Sequence, residues 1–237
     1  MAGPQCCSNP PDLSASSGGG REEHIGGLRS YVSGSADSKI AVLLVSDVFG
    51  YEAPKLRKLA DKVAGFGFYA VVPDFLQGDY VEWGVTPIEE WLKKHGPDQA
   101  FEHAKPIIDA LKSKGITKVG AVGFCWGAKV VVELAKYAYI NSAVLCHPSF
   151  VTKEDIEAVK VPTAILGAEF DQKWPPEVLK TFEEALNAKP DVDGFVKIFP
   201  GVTHGWTVRY KDEDEKEVKL AEEAHQDLVN WFVKYLK

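Results

Sequence analysis

Val119-Gly120-Ala121-Val122-Gly123-Phe124-Cys125-Trp126-Gly127-Ala128-Lys129 is the most informative stretch of this chain. The segment runs from a small, β-branched stretch through a sharp turn into helix-forming residues. Glycines stand two before and two after a cysteine. This is the strand–turn–helix pattern of a nucleophile elbow, with Cys in place of Ser. A nucleophile held in strained backbone leaves no room for side chains at either flank, which explains both glycines. Cys125 falls at the start of a helix predicted over residues 127–137. Amide N–H groups and the helix dipole favour an anion there. A thiol of ordinary pKa about 8.5 is lowered in such a setting, so Cys125 is the cysteine placed to react.

On either side of this segment the same alternation fills the chain. Short apolar runs predict strands over residues 28–32, 41–46, 69–72, 118–122, 142–146, 163–167 and 195–199. Several are apolar throughout, as strands covered on both faces are. Helical spacing predicts helices over 54–65, 98–114, 127–137, 176–187 and 217–235, with Pro106 a kink or break inside the second. The fold class is α/β, a mostly parallel central sheet of seven to eight strands with helices on both faces. Residues 1–20 are rich in Pro, Ser and Gly and read as a flexible lead-in. Residues 21–237 read as a single domain.

Composition narrows the function. The 27 basic and 34 acidic residues of the 237 leave a net charge of −7 with no basic run, which argues against nucleic acid or an anionic membrane as partner. No apolar stretch is long enough to span a bilayer and no secretory signal opens the chain. The four cysteines, Cys6, Cys7, Cys125 and Cys146, read as reduced thiols, and the expected compartment is the cytoplasm. Cys6 and Cys7 lack a second Cys/His pair at zinc spacing, so no metal site and no cofactor are expected. The acidic run at residues 211–217 reads as a solvated loop leading into the acid-rich first turn of the last helix.

An elbow nucleophile needs an acid and a histidine, in that chain order. Past the predicted strand 163–167 come Glu169 and Asp171. Past 195–199 comes His204. All follow C-terminal strand ends, where open α/β sheets place their ligands. Asp171 is favoured over Glu169 because it lies deeper in its loop. Cys146 and His147 are adjacent, so alternation sends them to opposite faces. Cys146 reads as core, and His147 as either a pocket residue or an idle loop histidine. His24, His95, His103 and His225 are expected on surfaces without chemical duties.

In these residues the chain resembles the dienelactone hydrolase (carboxymethylenebutenolidase) family of the α/β-hydrolase fold, and its plant cytosolic members in particular. The resemblance runs from about Gly26 to the C-terminus. It rests on Ser46-Asp47-Val48-Phe49-Gly50, Val72-Pro73-Asp74, Gly123-Phe124-Cys125-Trp126-Gly127, Asp171 and His204-Gly205, with the opening residues 3–11 also alike. It implies a Cys125–His204–Asp171 triad, an oxyanion hole from the Val48 and Trp126 amides, and hydrolysis of esters or lactones through a thioester. In bacterial members a glutamate pairs with the resting thiol; Asp47 stands in that loop, one methylene shorter. Those members hold a substrate carboxylate with arginines; the loop of residues 75–80 has none, and Arg209 is the nearest substitute. Asp47, Phe49, His147, Trp206 and Arg209 are the pocket candidates. Trp83, Trp126, Trp174 and Trp206 point to an aromatic pocket or to core packing. The expected partner is a small-molecule ester or lactone, and the chain a monomer or homodimer. Plant relatives also carry the name endo-1,3;1,4-β-D-glucanase. A lactone receptor, or an enzyme that closes or isomerises rings, would use the same residues.

Overall fold

Runs that are apolar throughout must be covered on both faces. The computed structural model, which describes residue 7, residues 9–15 and residues 17–237, builds such runs into one sheet. In chain order its elements are β1 (Arg21–Ile25), β2 (Leu28–Ser33), β3 (Ile40–Val45), α1 (Pro54–Gly65), β4 (Tyr69–Pro73), α2 (Ile88–Lys94), α3 (Pro97–Ser113), β5 (Lys118–Phe124), α4 (Trp126–Lys136), β6 (Ser142–Cys146), α5 (Lys153–Ala158), β7 (Thr163–Phe170), α6 (Pro176–Asn187), β8 (Gly194–Thr203) and α7 (Glu215–Leu236). The strand order is β1-β2-β4-β3-β5-β6-β7-β8. The first two strands join antiparallel and the other six run parallel.

Helices α1 and α7 cover one face, burying Leu56, Leu59, Val63, Leu228 and Phe232 against Val42, Leu44, Val122 and Phe124. The opposite face carries α3, α4, α5 and α6 over Leu43, Val45, Ala121 and Leu145. Along β5 the period-two alternation assigns each glycine a helix. A Cβ on Gly120 would strike Phe232 and Leu236 of α7, and one on Gly123 would strike the Gly127 carbonyl of α4.

The strand β1 was not expected. Arg21-Glu22-Glu23-His24 is polar, as an edge strand is, and it turns into β2 through Gly26 and Gly27, both at positive φ. Two short helices, α2 and α5, were also missed, being too short for a period to show. Pro106 does not split its helix, for α3 continues past it. The last helix starts two residues earlier than expected, because Asp214 caps it by accepting from the Lys216 and Glu217 amides. The charged run before it is exposed from Lys211 to Lys216.

Other expectations change. His225 is buried rather than on the surface, its Nε2 donating to the Thr207 carbonyl at 2.7 Å. Trp83 is exposed, while Trp126 and Trp174 donate their indole N–H groups to the carbonyls of His95 and Val151. These indoles act as anchors between loops, and Trp126 also borders a cavity with Phe75, His95 and His103. In the stretch expected as a lead-in, Cys7 is buried, Gly19 donates to Asp61 and Gly20 to the Tyr31 hydroxyl. Cys6 lies outside the described residues. Among the described residues no helix is long and apolar enough to cross a membrane, and no group of three or more His, Cys, Asp or Glu side chains could hold a metal ion.

Candidate active site

The turn after β5 is as tight as the glycines imply. Cys125 has φ 51° and ψ −111°, a conformation few side chains adopt, and it is the N-cap of α4. A Cβ on Gly127 would run into the Val45 and Ser46 carbonyl oxygens, so α4 can start against β3 only with glycine there. Two backbone bonds tie the strained residue to the end of β6 and the loop after it. The Cys125 N–H donates to the Cys146 carbonyl at 3.1 Å, and the Ser149 N–H donates to the Cys125 carbonyl at 3.0 Å. Cys125 has no exposed surface.

Sheet register explains which residues meet at this edge. The last rung between β7 and β8 pairs Phe170 with Thr203, after an irregularity between Ala168 and Phe170. Asp171 and His204 are therefore each one residue beyond the same rung. A bulge at that point bends the strand and re-aims the side chains beyond it. The outcome is a hydrogen bond of 2.6 Å from His204 Nδ1 to Asp171 Oδ2, with both side chains 1% exposed. The other oxygen, Oδ1, accepts from the amides of Lys173 and Trp174, both at 3.0 Å. Burial is the largest influence on Asp171 and pushes its pKa up. The His204 hydrogen bond and charge and the two amides outweigh it, and hold the carboxyl below its usual range. The rival Glu169 points elsewhere, accepting from the Gly201 amide at 2.6 Å.

Register aligns a second pair of loops on the other side of β5. Val45 pairs with Gly123, so Val48 and Trp126 both lie three residues beyond one rung. The Val48 carbonyl accepts from the Val81 amide at 3.0 Å, which ties that loop to the segment after β4. Asp47 Oδ1 accepts from the Phe49 amide at 3.0 Å, and Oδ2 lies 3.2 Å from Arg209 Nε. Arg209 is 6% exposed, and its guanidinium lies over the Phe49 ring and against Gly205, where any Cβ would collide with it. Its charge is thus turned toward Asp47.

His147, opposite Cys125 just past the Phe124–Cys146 rung, is fully buried. Its ring sits 5.0 Å from that of His204 and 5.4 Å from Trp206, and its Nε2 lies 2.7 Å from the Thr207 hydroxyl. Burial first, then the charges of His204 and Arg209, pull its pKa well below the ordinary histidine value. It packs beside His204 as a neutral ring. Trp206 borders a cavity of about 60 Å³ together with Asn9, Thr203, His204 and Arg209. Cys146 faces the α1/α7 core, and burial raises its thiol pKa. Ser149, which follows His147 at the end of the strand beside the elbow strand, has its Oγ 3.4 Å from Cys125 Sγ.

Comparison with known proteins shows the family of the chain. The model of the Dienelactone hydrolase family matches residues 28–236. Endo-1,3;1,4-beta-D-glucanase of Zea mays is 46% identical over 194 residues, covering 79% of this chain. The match covers 63% of the maize protein, so the chain spans less than two thirds of that relative's length. The Carboxymethylenebutenolidase homolog of Homo sapiens is 32% identical over 226 residues, covering 92% of this chain and 91% of that protein. The crystal structure of dienelactone hydrolase from Anabaena variabilis superposes with a TM-score of 0.63 at 16% identity, over 92% of this chain and 98% of that one. At that identity the likeness is one of fold.

Proposed function

The chain belongs to the dienelactone hydrolase family, and from that premise we propose that it hydrolyses carboxylic ester or lactone bonds through Cys125, His204 and Asp171. The observation that carries this reading is the buried 2.6 Å bond between His204 and Asp171, at the same C-terminal edge of the parallel sheet as a cysteine in strained backbone at a helix N-terminus. An imidazole fixed at Nδ1 by a carboxylate presents Nε2 as the base, which is the role a nucleophile of weak acidity requires.

In the proposed reaction the thiol proton passes to His204 Nε2 and the sulfur attacks the carbonyl carbon. A C–S bond forms, and the carbonyl electron pair moves to oxygen, which the Val48 and Trp126 amides receive. Collapse expels the alkoxide, which takes the proton from His204 and leaves a thioester on Cys125. His204 then removes a proton from water as it attacks the thioester, and the thiolate departs. Loss of one oxyanion donor in such sites costs about 2.7–4 kcal/mol of barrier.

The name of the maize relative belongs to a different chemistry, one that runs on two carboxylates flanking a glycosidic bond. Here Glu169 is engaged by the Gly201 amide and Asp171 by His204, so these two do not form such a pair. The thiol mechanism also accounts for the elbow. The test is hydrolysis of small activated esters and lactones. Cys125→Ala should abolish it and Cys125→Ser should retain at most a little. Wild-type turnover in Cys125→Ala would refute the reading.

A further inference from the structure

Holding Cys125 at φ 51° strains its backbone, and the end of β6 with the loop after it supplies the restraint. That loop grips the main chain of Cys125 at both ends, through the Cys146 carbonyl and the Ser149 amide. It is itself bent through positive φ at His147, 37°, and Phe150, 63°. The bend delivers one further group. Ser149 is fully buried, and its Oγ lies 3.4 Å from Cys125 Sγ, within hydrogen-bond reach of sulfur.

We infer that Ser149 is a positioning residue for the Cys125 thiolate, its hydroxyl donating to the ionised sulfur; the inference rests on the nucleophile proposed above. A hydroxyl facing a thiol donates or accepts, but facing a thiolate it only donates. The bond to the charged form is the stronger one, so it favours ionisation. When the thiol proton leaves for His204 the electron pair stays on sulfur, and the Ser149 O–H turns toward it. Ser149 gains and loses no proton. The same bond fixes the direction from which the sulfur approaches a carbonyl carbon.

Other charged and titratable groups gather at this edge of the sheet: Asp47 from the loop after β3, His147 after β6, Asp171 after β7, and His204 and Arg209 between β8 and α7. All remain in place in Ser149 variants, so a change in thiol ionisation reads the hydroxyl. The experiment is alkylation by iodoacetamide as a function of pH, scored on the Cys125 peptide by mass spectrometry so that Cys6, Cys7 and Cys146 are counted apart. Ser149→Ala should raise the midpoint by about one pH unit, the effect of losing a hydrogen bond to the charged form. Ser149→Thr keeps the hydroxyl and should stay with the wild type. Its isostere Ser149→Val should shift as Ala does, and the Thr/Val pair decides the matter even where the smaller side chain unfolds the loop. Coincident midpoints for all variants, or a shift in Thr as large as in Val, would overturn the inference. Alkylation needs no turnover, so this outcome is separate from the hydrolase reading, which falls only if Cys125→Ala keeps its activity.

Discussion

His204 Nδ1 lies 2.6 Å from Asp171 Oδ2 with both side chains sealed from solvent. Two loops that are 33 residues apart in sequence meet there. The carboxylate fixes the imidazole tautomer, and the Lys173 and Trp174 amides fix the carboxylate. Replacing Asp171 by Asn keeps the shape but favours the wrong tautomer. The expected cost is on the order of 10⁴ in kcat, as for triads generally. Steady-state kinetics on an activated ester, with a thermal melt to confirm folding, checks this. The folded pKa of Asp171 is depressed. Its contribution to stability is therefore present above the ordinary carboxylate value, near 3.9, and is lost as pH falls through the lower folded value.

Gly127 is where the elbow meets β3. A methyl group there would press on the Val45 and Ser46 carbonyls, which are backbone and cannot rotate away. Gly127→Ala is expected to destabilise the protein by about 1–3 kcal/mol, the range for overpacking. It should also depress activity beyond the loss of folded protein, because Cys125 shifts with α4. Urea titration together with activity per folded molecule separates the two effects.

Arg209 and Asp47 form a buried ion pair, 3.2 Å apart and each at most 4% exposed in its side chain. Removing one partner strands the other charge, which typically costs about 3–5 kcal/mol. Arg209→Met should therefore destabilise strongly. Adding Asp47→Leu should restore a large part of the loss, since the stranded carboxylate is then gone. A double-mutant cycle from urea unfolding measures the coupling, and additive losses would show that the pair has no such role.

Two buried histidines make the fold sensitive to acid. Burial lowers His225 to about 4, partly opposed by its bond to the Thr207 carbonyl, and burial also holds His147 well below the ordinary histidine value. Both bind protons more readily unfolded than folded, so stability is full above the unfolded value near 6.5 and declines as pH falls below it. For His225 the slope is about 1.4 kcal/mol per pH unit between its unfolded and folded values. Urea midpoints at pH 7, 6 and 5 should fall accordingly, and His225→Gln should flatten the slope. An unchanged slope in that variant would contradict the assignment.

The parallel core was legible because its strands are short apolar runs, and β6 and the helices α1 and α6 match the expected limits. The elbow was legible because Gly123 and Gly127 answer steric demands that leave a mark in sequence. Asp171 and His204 were found as residues past strand ends. Their pairing was expected from chain order and strand ends, but the rung that sets its geometry, Phe170–Thr203, and the irregularity before it were not legible. Register between distant strands leaves little trace in one chain. The burial of His225 was missed because Ala221, Ala224 and Leu228 mark a buried face that continues over it. Ser149 was legible only as a residue past the strand beside the elbow, and nothing in its type points to the sulfur. What brings it to the sulfur is the positive φ at His147 and Phe150, two residues whose types do not announce it.

The most direct test of the thiol mechanism is to trap the thioester. His204→Gln removes the proposed base for water, while alkaline pH still ionises the thiol. Incubated at about pH 9 with p-nitrophenyl acetate, where the thiol is ionised by solution alone, this variant should release nitrophenol in a burst. Peptide mass spectrometry should then show one acetyl group on Cys125, absent in Cys125→Ala. Nitrophenol turnover with Cys125 unmodified, together with wild-type hydrolysis by Cys125→Ala, would contradict the central claim.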